Sequence, residues 1–167
     1  MNVDVPSRGT QLPQYFALLY GVMIVYASLE PFSGWMAPLP GTPFFLFAPW
    51  PARYARYDLA INVVAYIPFG FFVALTGRHT RAAARFAIAT AMAALLSAAM
   101  ETTQMFLPSR DASTIDLLSN TAGGALGGLA ALVLNGTPGL RARITQWRHR
   151  VFLGGRSGDL GLALLGI

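Results

Sequence analysis

Cysteine is absent from the 167 residues, which excludes disulfides, thiolate chemistry and cysteine metal sites. Charge is scarce as well: Asp, Glu, Lys and Arg together make up 11% of the chain, and the acids number seven. A formal charge of +5 and a pI near 10.2 are not accompanied by a recognition motif or a concentrated basic domain, so nucleic acid is set aside as a partner. What is abundant is apolar. The 54% of apolar residues and the mean hydropathy of +0.50 lie outside ordinary soluble composition and place the chain among small integral membrane proteins. Several long apolar segments carry this excess, which one cleavable leader would not explain.

A spanning helix needs about 20 mostly apolar residues, at about 1.5 Å each, to cross about 30 Å of hydrocarbon. Four windows qualify: residues 12–29, 59–76, 82–105 and 115–134. The predicted fold is therefore all-α, an integral membrane bundle of four transmembrane helices. An N-terminal tail (1–11) precedes a transmembrane domain (12–135), and a cationic segment (136–167) follows it. In that last segment Thr137 and Pro138 stand where a cap and first turn would be, and Leu140, Ile144, Trp147 and Val151 share one helical face. This predicts an additional cationic helix lying in the membrane interface. The closing GDLGLALLGI is too short to span, which leaves an interfacial tail or the start of a truncated further helix, and the second is favoured.

The arginines set the orientation. Arg8, Arg78, Arg81, Arg85, Arg141, Arg143, Arg148, Arg150 and Arg156 fall on one side, against Arg53, Arg56 and Arg110 on the other. The positive-inside rule then places both termini and the loop between helices two and three in the cytoplasm. The loop over residues 30–57 faces outward with six prolines, Trp35, Trp50 and the run Phe44 to Phe47. Its composition suits an irregular loop resting on the bilayer better than a re-entrant lid.

Against this background the polar residues stand out. Asp58, Asn62 and Tyr66 repeat every four residues on helix two. Ser97, Glu101 and Gln104 share a face of helix three, and Asp116 and Asn120 lead into Gly124 and Gly128 on helix four. Each group falls in the outer third of its helix, which predicts an inward-facing polar cluster near the outer surface with Arg110 as the positive partner of the carboxylates. Ser113 and Asp116 have the spacing of a capping box. Asn62 and Gln104 read first as helix-orienting clasps, whereas Glu101 with Arg110 points to a ligand or catalytic site, because a carboxylate below the membrane surface is costly. No metal site is expected, since His79 and His149 fall on the opposite side, and no cofactor is implied. No Ser-His-Asp set can be assembled across the membrane, so enzymatic activity stays open. Gly123 with Gly127, and Gly124 with Gly128, form two small-residue faces for close helix packing, and they also offer a surface for a protein partner or a second copy. Pro68 in helix two predicts a kink or a free carbonyl.

The segment ETTQMFLPSRDASTIDLLSNTAGGALG, with Glu101, Gln104, Arg110, Asp116, Asn120 and Gly124, and the upstream YARYDLAINVVAYIPFG, with Arg56, Asp58, Asn62, Pro68 and Gly70, closely resemble the VanZ-like membrane protein family over about residues 12–135. The resemblance implies a small multi-pass protein of the bacterial cell membrane, in a family named after a member associated with resistance to the glycopeptide teicoplanin. The preferred functional expectation is recognition of an amphiphile, a membrane lipid or a lipid-linked cell-wall component, at the outer leaflet, with Glu101, Gln104, Arg110, Asp116, Asn120, Asp58, Asn62 and Arg56 as candidate ligand-binding residues. The alternative is a structural or assembly protein whose polar cluster only orients helices. A membrane-embedded hydrolase or transferase is a third reading, and a transporter is less attractive because the inner half of each helix lacks a matching relay.

Overall fold

A computed structural model describes residues 11–50, 56–77 and 80–139. Four long helices dominate it: α1 (Leu12–Leu29), α2 (Arg56–Thr76), α3 (Ala82–Gln104) and α4 (Thr114–Gly136). All four are long and apolar enough to cross a membrane. The cationic helix expected after α4 and the truncated tail lie outside the described residues. The packed four-helix unit extends to Ala131, and a second unit begins at Leu132. In that second unit Thr137, expected to cap a following helix, donates its hydroxyl to the Val133 carbonyl at 2.8 Å.

Local chemistry explains where the helices stop. Pro13 sits in the first turn of α1, where its missing N–H is harmless, and Pro31 follows directly after the C-cap Glu30. Pro108 comes shortly after α3, and α2 runs through Pro68 as one helix. Two loops at one end are tied together by a backbone bond. The Met36 N–H from the first loop donates to the Phe106 carbonyl in the second at 2.9 Å. The first loop is irregular apart from one 3-10 turn over Phe45–Phe47. Phe45 is 2% exposed, and the Thr114 hydroxyl donates to its carbonyl at 2.9 Å, so the loop is pinned across the start of α4.

Close packing comes from small residues, as a bundle without a hydrophobic drive between its helices requires. A Cβ at Gly123 would strike the Val63 carbonyl, and one at Gly127 would strike the Ile67 carbonyl, so this face lies directly on the α2 backbone. A Cβ at Gly124 would strike that of Ala93, and one at Gly128 would lie 3.1 Å from that of Ala89, both on α3. Gly70 of α2 meets the Gly124 carbonyl. These faces are consumed inside the bundle. The expectation that they recruit a partner or a second copy is therefore corrected: four glycines with no side chains let α4 sink between α2 and α3, which covers both of these faces.

Larger side chains fill the rest. Ile24, Tyr66, Phe69 and Ala93 form one core cluster, Leu29, Met100 and Leu107 a second at the loop end, and Ala74, Ala89 and Ala131 a third at the other end. Phe16 of α1 stacks on Phe72 of α2 at 5.1 Å. Leu18, Leu19, Val22, Val64, Leu95 and Leu129 point outward, as lipid-facing residues do.

Candidate functional site

The loop end of the bundle gathers the polar residues. Glu101, in the last turn of α3, is 3% exposed, and its Oε2 accepts the Ser113 N–H at 2.8 Å. Ser113 Oγ in turn accepts the Ile115 N–H at 3.1 Å, which caps α4. The capping box is thus completed by a residue of another helix. Asp116, expected to bond back to Ser113, instead accepts from Asn62 Nδ2 through Oδ1 at 2.6 Å and ties α4 to α2. The reason is competition. A buried Glu101 needs a donor more than the half-buried Asp116 does, and a hydrogen bond to a charged acceptor contributes about 1.5–3 kcal/mol.

Arg110 also finds partners other than the expected one. Its Nη2 donates to the carbonyls of Ala27 at 3.0 Å and Glu30 at 2.9 Å, and Gln104 Nε2 donates to the Ser28 carbonyl at 2.9 Å. Three carbonyls left over at the C-terminus of α1 are thereby satisfied by the α3–α4 segment, and the guanidinium sits at the negative end of the α1 dipole. The predicted pairing of Glu101 with Arg110 is therefore corrected: each is held by backbone, the acid by an N–H and the arginine by carbonyls. Deeper in the bundle, Asn120 Nδ2 donates to Ser97 Oγ at 3.0 Å, joining α4 to α3.

These bonds surround a cavity of about 450 Å3 between the helices. Asn62, Tyr66, Glu101, Gln104, Arg110, Asp116 and Asn120 all line it, together with Asp111 and, on its apolar side, Tyr20, Ile24 and Ala65. Met23 and Ile61 line it too and are largely exposed, so it reaches the lipid-facing surface between α1 and α2. Asn120 Oδ1 is fully shielded and makes no hydrogen bond, although such atoms are normally satisfied in a folded protein, and the equally shielded Tyr66 hydroxyl lies beside Ser97.

A second hollow of about 570 Å3 lies under the first loop, lined by Phe45, Trp50, Asp58 and Ser113, and it shares Asn62, Arg110, Asp111 and Asp116 with the first. Asp58 is thus brought beside the cluster, on an exposed position at the start of α2. Arg56 is exposed and lines neither hollow. Among the described residues no group of three His, Cys, Asp or Glu side chains is arranged to hold a metal ion.

Tyr66, which shares the polar face of α2 with Asn62, joins the cavity lining although it was not among the candidate residues. Arg85 was read only as an orientation charge. It is buried, with Nε donating to the Ala74 carbonyl at 2.8 Å near the end of α2 and Nη2 without a partner. What the site offers chemically is a shielded set of acceptors at one end of an apolar bundle. Compared with known families, the chain matches VanZ/LLP1 over residues 10–135. No curated protein and no solved structure matches it significantly.

Proposed function

The chain belongs to the VanZ/LLP1 family and is a multi-pass bacterial membrane protein, and from that premise we propose that its polar cavity recognises the head group of an amphiphile at the outer leaflet. The observation that carries this reading is a cavity of about 450 Å3 lined by Asn62, Glu101, Gln104, Arg110 and Asp116 that opens beside Met23 and Ile61. A cavity that is polar inside and reaches lipid through an apolar rim suits a molecule with a head and a tail. The arginine asymmetry supports an outward-facing site, with both termini on the cytoplasmic side. Membrane lipids and lipid-linked cell-wall components are the ligand classes, and a link to glycopeptide resistance would run through the second. The test is native mass spectrometry of the detergent-purified chain with bacterial lipids and cell-wall precursors. Ala65→Phe, which fills the cavity from its apolar side, should abolish retention of a lipid class while leaving the Tm unchanged or higher; equal retention by this variant overturns the reading.

A second reading has its own support. Glu101, Gln104 and Arg110 all bond to backbone, as a clasp that orients helices would. In a structural or assembly protein, every substitution in the cluster lowers Tm and function in parallel. A binding site separates the two.

A further inference from the structure

We propose that the cavity selects amphiphiles whose head group carries a primary ammonium, an inference that rests on the reading of the cavity as a head-group site. The argument is an accounting of charge and of unused hydrogen-bonding capacity. Three carboxylates, Glu101, Asp111 and Asp116, line the cavity against one cation, Arg110. That cation serves the Ala27 and Glu30 carbonyls through Nη2, which leaves the N–H groups on Nε and Nη1 to meet a phosphate. The acceptors left beside it are carboxylate oxygens: Glu101 bonds Ser113 through Oε2, and Asp116 bonds Asn62 through Oδ1, which leaves a second oxygen on each.

An ammonium carries three N–H donors, no acceptor and a positive charge, which matches this imbalance in both number and sign. An anionic head group would meet the carboxylates unfavourably. A trimethylammonium head group has the charge but no N–H to give. The second oxygens belong to residues lining a part-enclosed cavity, where charge-assisted bonds are stronger than in water.

The full chain in detergent is mixed with equal amounts of phosphatidylethanolamine, phosphatidylglycerol and phosphatidylcholine of identical acyl composition, and the retained lipid is read by native mass spectrometry alongside Tm. The expected result is retention of phosphatidylethanolamine over each of the others by about tenfold or more, the size of one charge-assisted bond. Glu101→Gln and Asp116→Asn should each reduce that preference by about tenfold, because each removes charge while the amide oxygen still accepts from Ser113 or Asn62. Should either fail to fold, Asp111→Asn, at an exposed position on the rim, should weaken the preference by about threefold at unchanged Tm. Retention of phosphatidylglycerol or phosphatidylcholine at parity or better overturns the ammonium inference while leaving head-group binding in place. Retention of none, with Ala65→Phe indistinguishable from wild type, overturns the binding reading itself.

Discussion

Gly127→Ala is the sharpest probe of how the bundle is held together. The added Cβ would run into the Ile67 carbonyl oxygen and lie 2.7 Å from the Phe71 backbone nitrogen. Ordinary contact begins at 3.4 Å, and the carbonyl oxygen lies nearer than the nitrogen, so α2 and α4 must part by more than about 0.7 Å at this crossing. Neither obstacle is the flexible end of a side chain, so rotamer changes bring no relief, and the cost falls toward the upper end of the overpacking range, about 3 kcal/mol. The better helix propensity of alanine returns about 1 kcal/mol. The net expectation is a loss of about 2 kcal/mol. Two controls grade the effect. Gly128→Ala meets only the Ala89 Cβ at 3.1 Å, which a shift of a few tenths of an ångström relieves, so it should stay within about 1 kcal/mol of wild type. Gly136→Ala meets nothing within 4 Å and should be neutral or slightly stabilising. The assay is unfolding of the detergent-solubilised protein by SDS titration, followed by circular dichroism. Gly127→Ala as stable as Gly128→Ala would refute the direct seating of α4 on the α2 backbone.

Other perturbations bear on the polar end and on orientation. Arg110→Ala frees the Ala27 and Glu30 carbonyls and should cost about 1–3 kcal/mol, with Arg110→Lys in between, both read as Tm. Ser97→Ala leaves the buried Asn120 amide without its acceptor and should cost about 1–3 kcal/mol. On top of Asn120→Ala the same change should cost little, and a double-mutant cycle reads the coupling. The natural absence of cysteine allows single-site labelling: Ser109→Cys should react with an impermeant maleimide from outside the cell, and Thr80→Cys only after the membrane is opened. The reverse pattern would invert the proposed topology.

The fold was largely legible because its signals are local. Apolar length located all four helices, and the bound that moved furthest is the start of α2, from residue 59 to Arg56, since Arg56, Tyr57 and Asp58 add a polar first turn that hydropathy does not count. The spacing of Gly123, Gly124, Gly127 and Gly128 announced close packing, and Ala89 and Ala93 of α3 supply one of the two surfaces they meet. The α2 backbone as the other surface was not foreseen, because a carbonyl row has no sequence signature.

The same distinction governs the site. Periodicity assigned Asn62, Glu101, Gln104, Asp116 and Asn120 to inward faces at one depth, and all five line one cavity. It did not assign partners. Pairing by opposite charge would join Glu101 to Arg110, but both meet main-chain groups that exist only once α1 ends beside α3 and Ser113 turns into α4. In a bundle poor in charge, helix ends supply most of the unmet donors and acceptors, and the few polar side chains go to them first. What remains after those ends are satisfied, the second oxygens of Glu101 and Asp116 among them, is therefore the part of the polar set that helix capping does not explain.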